Sequence, residues 1–114
     1  MKVTSQLIDA ENLDMLKGLL GDRFNELIET YLADSEARMN KLRTAICEGD
    51  LNAVMHQAHG LKGSSRNIGA NSFADLCHTL ESQARVELIE AEQQQLAALE
   101  TSFAAVSEAL SLYQ

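Results

Sequence analysis

A short stretch in the middle of the chain combines residue types that can carry out phosphoryl chemistry. His59 is followed by Gly60, by a lysine at Lys62 and by a second glycine at Gly63. A neutral imidazole is a good nucleophile near pH 7, and its attack on a phosphoryl group forms a phosphoramidate. An ammonium group one helical turn away can stabilise the negative charge on the oxygens of the transferred group. The pattern therefore predicts that His59 is the nucleophile and that Lys62 assists it.

The same stretch is a poor helix by composition. Gly60 and Gly63 each cost up to about 1 kcal/mol relative to alanine in a helix interior, and Ser64 and Ser65 add a smaller penalty. Because Gly63 lies four positions after His59, the two share a helix face. We interpret the missing side chain as room for an approaching protein. Ser65 falls on the buried stripe of the predicted helix, which favours a packing role.

The charge distribution marks the same region. The chain carries 17 acidic and 9 basic residues and a net charge of −8, yet residues 51–74 contain no Asp or Glu. This segment therefore forms a locally cationic surface that includes Lys62 and Arg66. The acidity of the whole chain disfavours binding to nucleic acid or to an anionic membrane surface as a main role.

Apolar residues at three-and-four spacing predict the elements that position this stretch. We predict one domain over residues 1–114, with helices at about 10–20, 23–48, 51–67, 72–85 and 89–112. Asp9 is the expected N-cap of the first helix, and Gly49-Asp50 ends the second helix and caps the third. The expected fold is all-α: an up-down antiparallel four-helix bundle with a short additional N-terminal helix that covers one end.

The sequence contains no phosphate-binding loop, no Walker-type motif and no acidic magnesium cluster. We therefore expect no nucleotide site, no intrinsic cofactor and no bound metal. A chain of this kind has to receive and donate the phosphoryl group through partner proteins. The two cysteines, Cys47 and Cys77, have no ligand-like spacing and are expected to be reduced thiols in a cytoplasmic protein.

The central motif resembles a known family. The run His59-Gly60-Leu61-Lys62-Gly63-Ser64-Ser65, preceded by Ala58 and followed by Ile68-Gly69-Ala70, is similar to the histidine phosphotransfer (HPt) domains of bacterial two-component phosphorelays. The similarity extends over the whole chain, from Ile8-Asp9 through the Glu48-Gly49-Asp50 turn. It implies a phosphorelay intermediate whose acceptor is His59.

The resemblance also implies partners. The chain would accept a phosphoryl group from a receiver-domain aspartate or a kinase and pass it to a response-regulator aspartate, as a carrier and not as an enzyme. The expected partners are the receiver domains of a hybrid sensor kinase and of a response regulator, with Mg²⁺ bound on the receiver domain. We expect a stand-alone monomer.

Further site residues follow from the same resemblance. The phosphotransfer domains of chemotaxis kinases place a histidine 19 positions and a glutamate 22 positions after the acceptor, which here gives His78 and Glu81. Glu81 would hold the ring proton on one nitrogen and leave the other free to attack. His78 is either a hydrogen-bonded partner of Glu81 or an ordinary half-buried residue. The residues expected on the docking face are His56, Gly60, Gly63, Ser64, Arg66 and Arg85.

Two functions of other classes are compatible with the residue types. His56, His59, Cys77, His78 and Glu81 include enough donors for a zinc site, although the neighbouring lysine raises the energy of a bound cation and Cys77 is expected in the core. An adaptor bundle without chemistry is the other alternative, and it leaves the two glycines unexplained.

Overall fold

The computed structural model describes residues 7–114, which are helical with short connections and contain no strand. The α-helices in this range are α1 (Ala10–Leu20), α2 (Phe24–Glu48), α3 (Leu51–Ile68), α4 (Asn71–Arg85) and α5 (Glu92–Ser111). A 3₁₀ turn, Gly21–Arg23, joins α1 to α2. The predicted all-α class is confirmed. The first six residues of the predicted domain lie outside the described range, and no helix within that range is long and apolar enough to cross a membrane.

Helices α2 to α5 form the predicted up-down bundle, with α3 packed along α4 and with α2 and α5 completing the ring. Helix α1 lies at the end of the bundle where α3 turns into α4. Its N-terminus is attached there, because the Asp9 amide donates to Gly69 O at 2.9 Å and Asn12 Nδ2 donates to Asn67 O at 3.1 Å. The core contains fully buried large side chains from every helix, among them Leu13, Phe24, Leu42, Leu61, Phe73, Leu80, Leu99 and Leu110.

The turn between α2 and α3 has the predicted capping chemistry. Gly49 ends α2 with a left-handed φ of 72°, a conformation that glycine adopts without steric penalty. Asp50 then begins α3, and its Oδ1 accepts the amide of Ala53 at 3.1 Å. This two-residue connection reverses the chain and places α3 antiparallel to α2.

The start of the last helix differs from the prediction. Helix α5 begins at Glu92 and not at residue 89. Gln83 Oε1 accepts the amide of Glu90 at 3.0 Å and the side-chain amide of Gln95 at 2.7 Å, which holds the connecting loop in a non-helical path. Ile89 packs against the core from this loop. Its apolar side chain fits the spacing of the helix that follows, and the predicted helix therefore began too early. The other predicted helix ends lie within one residue of those observed.

Candidate functional site

Helices α3 and α4 present their polar side chains together because their apolar neighbours are fixed in the core. Ala58 and Leu61 on α3 are fully buried, and so are Cys77 and Leu80 on α4. His59 and Lys62 each follow a buried position by one residue and therefore stand at the edge of the helix pair. Glu81 follows Leu80 in the same way, which brings it opposite His59.

Glu81 is the centre of the site. Its side chain is only 3% exposed, and three basic side chains surround its carboxylate. Oε2 lies 2.8 Å from His59 Nδ1 and 2.8 Å from Arg85 Nη2, while Oε1 lies 2.8 Å from Lys62 Nζ. A buried carboxylate is tolerated only when it is paired in this way.

The surroundings of Glu81 determine its protonation state. Desolvation by burial alone would raise its pKa, but the hydrogen bonds from Lys62 and His59 outweigh it and the pKa lies below the ordinary value of 4.5. Glu81 is therefore ionised near neutral pH, and an ionised carboxylate can only accept hydrogen bonds. It follows that His59 Nδ1 carries the proton in this contact.

The second nitrogen of His59 is the available one. The side chain is 66% exposed, and no hydrogen bond among the residues that the structure describes involves Nε2. With the proton on Nδ1, a neutral ring keeps its lone pair on Nε2. The arrangement can therefore hold an accessible nucleophilic nitrogen in a fixed orientation.

Lys62 and His78 form a second contact beside this one. Lys62 is 21% exposed, and its Nζ lies 3.4 Å from His78 Nδ1 in addition to its contact with Glu81. His78 is exposed and its Nε2 lies 3.5 Å from Ser82 Oγ. The expectation that His78 is hydrogen-bonded to Glu81 is therefore wrong, because its ring faces the lysine instead. The alternative expectation, that His78 is half-buried, is also wrong, because the residue is exposed.

Some of the expected docking residues share the exposed face of His59. His56 and Arg85 line the same open depression as His59. Gly63 is exposed, and a Cβ atom built on it would meet no atom within 4 Å. Arg66 is further along this face and is paired with Asp75 of α4 at 2.9 Å.

Two expected docking residues face α2 instead. A Cβ atom on Gly60 would clash with the guanidinium group of Arg38, so this glycine leaves room for the arginine, which donates to Gln57 Oε1 at 3.1 Å. Ser64 Oγ donates to Gly60 O at 3.1 Å and lines a groove with Tyr31. Gly60 follows His59 by one position and Ser64 follows Gly63 by one position, and a helix turns about 100° per residue, so both residues point away from the exposed face. The sequence alone did not show which helix would pack against Gly60 and Ser64.

Ser65 has the packing role that the sequence favoured. It is fully buried, and its Oγ is 2.7 Å from Tyr31 Oη. The sequence did not predict that Arg85 contacts Glu81, although the two are four positions apart, a spacing at which helical side chains of opposite charge meet.

The zinc alternative finds no support in the geometry. Within residues 7–114, no three or more His, Cys, Asp or Glu side chains are grouped so that they could hold a metal ion. Cys77 is buried in the core, and burial raises the pKa of its thiol to about 12.

The comparisons with known proteins agree with this geometry. A family model described as the Hpt domain matches residues 26–109, which is most of the chain. The chain belongs to the Hpt domain family. The crystal structure of histidine-containing phosphotransfer protein B (HptB) from Pseudomonas aeruginosa PAO1 is similar to this Hpt domain with a TM-score of 0.90 and 32% sequence identity. The match covers 94% of this chain and 93% of that one. No curated protein sequence matches the chain.

Family membership establishes the general function. The chain is a histidine phosphotransfer intermediate of a two-component phosphorelay. Members of this family are carriers of phosphoryl groups and generally not enzymes, and their partners are phosphorelay proteins such as receiver domains. The Hpt match includes both helices that form the site around Glu81.

Proposed function

We propose that this Hpt domain carries the phosphoryl group on Nε2 of His59. The observation that supports the proposal is the 2.8 Å contact between His59 Nδ1 and the buried carboxylate of Glu81. This contact supports a ring proton on Nδ1 and a lone pair on Nε2, on the exposed side of the helix pair.

Transfer then follows from the charges around the ring. The Nε2 lone pair attacks the phosphorus of a receiver aspartyl phosphate, the P–O bond to the aspartate breaks, and its electron pair leaves with the aspartate carboxylate. The ring keeps its Nδ1 proton and becomes positively charged. The ionised Glu81 stabilises that charge where it develops. The reverse steps deliver the group to a second aspartate.

Lys62 supplies positive charge one turn from the acceptor. Its ammonium group restrains the Glu81 carboxylate from the Oε1 side, and its partial exposure leaves it accessible to the incoming phosphoryl oxygens. We propose that it stabilises the negative charge of those oxygens, as the sequence predicts.

Receiver domains supply the remaining parts of the reaction. We expect the donor to be the receiver of a hybrid sensor kinase and the acceptor to be a response regulator, each with its own Mg²⁺. The Hpt domain itself would use no nucleotide and no cofactor, and would act as a monomer in the cytoplasm. The open space at Gly63 supports docking on the α3–α4 face, because a protein surface can approach His59 there.

Phosphate labelling of variants in which one histidine is replaced tests the proposal. Wild type, His59→Gln and His56→Gln are incubated with phosphoramidate, and the phosphate bound to each protein is measured before and after mild acid. We expect acid-labile label in wild type and in His56→Gln, and none in His59→Gln. Circular dichroism confirms that the variants are folded, and we expect His59→Gln to lose less than about 1 kcal/mol because its side chain is exposed. Label in His59→Gln, or label that resists acid, would show that another residue is the acceptor.

A further inference from the structure

Gly60 and Arg38 form a contact between two helices, on the side of α3 that faces α2. A Cβ atom at position 60 would clash with the guanidinium group of Arg38, so the arginine of α2 lies directly against the backbone of α3. Gly60 is the residue after His59. The contact therefore brings a cationic group from α2 next to the acceptor position, although the sequence did not predict Arg38 as a site residue.

Two hydrogen bonds hold the guanidinium group of Arg38 in this place. Its Nε donates to Asp34 Oδ2 at 3.2 Å, one turn earlier on α2, and its Nη1 donates to Gln57 Oε1 of α3 at 3.1 Å. Gln57 lines the open depression that contains His59. The arginine is therefore fixed at the border of that depression, and it cannot turn into solvent without losing both bonds.

Arg38 keeps donors that the chain itself does not use. A guanidinium group has five N–H donors, and the two on Nη2 take part in no hydrogen bond among residues 7–114. The side chain is 31% exposed, so a second molecule can reach it. An oriented guanidinium group with free donors is suited to a carboxylate, which it binds through charge-assisted hydrogen bonds.

The stability of the domain does not explain why position 60 is a glycine. Glycine in a helix interior costs about as much free energy as an exposed ion pair such as Arg38–Asp34 can return. Alanine at position 60, with Arg38 turned into solvent, would leave the domain about as stable. The combination of Gly60 and Arg38 therefore indicates a role in contact with another molecule.

The partner that approaches His59 carries carboxylates. Proteins bind Mg²⁺ through carboxylate oxygens, so a receiver domain that brings Mg²⁺ and an aspartyl phosphate to the ring presents an acidic surface there. Residues 51–74 contain no Asp or Glu, and Arg38 extends this cationic surface from α3 onto α2. The two surfaces are therefore complementary in charge at the position of Arg38.

We propose that Arg38 is a receiver-binding residue, which binds a carboxylate of the docked receiver domain through Nη2, and that Gly60 keeps the guanidinium group within reach of that carboxylate. The proposal rests on the proposed function, because the receiver has to dock at His59. Arg38 contributes to binding and not to the chemical step. A loss of Arg38 therefore raises the receiver concentration that gives half of the maximal transfer rate and leaves the maximal rate unchanged.

Single-turnover transfer to matched variants tests this role. The donor is a phosphorylated receiver domain that transfers to the wild-type protein, and its concentration is varied in low and in high salt. The variants are Arg38→Gln, Arg38→Lys, Gly60→Ala, the double variant with Arg38→Gln and Gly60→Ala, and Arg43→Gln. The last is the control, because Arg43 is also an arginine of α2 paired with a glutamate, but its partner Glu100 belongs to α5. Thermal melts confirm that each variant is folded.

We expect the half-maximal concentration to rise about fivefold in Arg38→Gln at low salt, the upper range for an exposed ion pair. The difference should shrink at about 0.5 M salt, because exposed charges are then screened. Arg38→Lys keeps the charge without the planar donor group and should lie between wild type and Arg38→Gln, while Arg43→Gln should remain at the wild-type value. Gly60→Ala should resemble Arg38→Gln, because the new methyl group displaces the guanidinium group.

The double variant decides whether Gly60 acts through Arg38. Once the arginine is absent, Gly60→Ala should change the half-maximal concentration no further. Additive effects of the two substitutions would overturn the inference, and so would an Arg38→Gln variant that behaves like Arg43→Gln. A loss of phosphoramidate uptake in Arg38→Gln would also overturn it, since Arg38 would then act on the phosphoryl group. Failure of the acceptor assignment is recognised separately, because His59→Gln would then retain the label whatever residue stands at position 38.

Discussion

Replacing Gly63 with glutamine is expected to stabilise this Hpt domain and, at the same time, to slow phosphoryl transfer from protein donors. Gly63 lies inside α3 and is exposed, and a Cβ atom there would meet nothing within 4 Å. The substitution therefore introduces no clash in the free protein. The new side chain lies one turn from His59, where a receiver aspartate must approach Nε2.

The stability term comes from helix propensity. Glycine is about 0.8 to 1 kcal/mol less favourable than alanine in a helix interior, and glutamine is close to alanine. We expect a gain of up to about 1 kcal/mol in the free energy of unfolding, which corresponds to about 4 °C in Tm for a chain of this size.

The transfer term comes from distance. Residues four apart on a helix have Cβ atoms about 5 to 6 Å apart, so a glutamine side chain reaches the space above the His59 ring. Phosphoryl transfer needs a near in-line approach, and a displacement of about 1 Å can reduce the rate about a hundredfold. We expect a loss of that order with a receiver domain as donor and less than about threefold with phosphoramidate, which needs little room.

Thermal melts and single-turnover transfer on matched variants measure both terms. Gly63→Ala removes the glycine without adding a long side chain, and it should be stabilised and remain close to wild type in transfer. Gly18→Gln places the same residue at an exposed glycine of α1, where a Cβ atom also meets nothing within 4 Å. It should be stabilised with no change in transfer. A destabilised Gly63→Gln, or one that transfers at the wild-type rate, would refute the docking argument.

Three further predictions follow from the buried groups. Glu81→Ala should slow phosphoramidate uptake about a hundredfold without abolishing it, because the carboxylate that stabilises the developing ring charge is lost. The tautomer of the His59 ring should also shift in nitrogen-15 NMR, and an unchanged tautomer removes Glu81 from the mechanism. The pKa of Glu81 in the folded protein lies below its ordinary value of 4.5. The ion pairs of Glu81 therefore stabilise the fold fully above about pH 4.5, and this stabilisation is lost as the pH falls through the folded-state pKa. The difference in urea midpoint between wild type and Glu81→Gln should therefore be largest above about pH 5 and shrink below about pH 4; a constant difference contradicts the assignment. Cys77, with a pKa of about 12, should resist iodoacetamide at pH 8 in the native protein while exposed Cys47 reacts, so that one thiol is modified before and two after denaturation.

The sequence predicted the parts of the fold that depend on local chemistry. Gly49 and Asp50 end and begin helices because left-handed φ and side-chain capping are properties of single residues. The start of α5 was predicted too early because the loop is held by Gln83 and Gln95, which are twelve positions apart. Long-range side-chain bonds of this kind leave no periodic signal.

The same distinction applies to the site. Gly63 and His59 were placed on one exposed face by helical spacing alone, and the structure places them there. Gly60 was misread because its role depends on Arg38, which comes from another helix. His78 was likewise placed by its offset from the acceptor, but the packing of α4 against α3 turns it towards the lysine side of the cluster.

The position of the phosphorus on the His59 ring tests the central claim most directly. The protein is labelled with nitrogen-15 in its histidine rings, phosphorylated by a receiver domain and studied by NMR for nitrogen–phosphorus coupling. Because Glu81 holds the proton on Nδ1, the coupling should appear on Nε2 of His59 and on no other ring nitrogen. Coupling on His59 Nδ1, or on another histidine, would contradict the account.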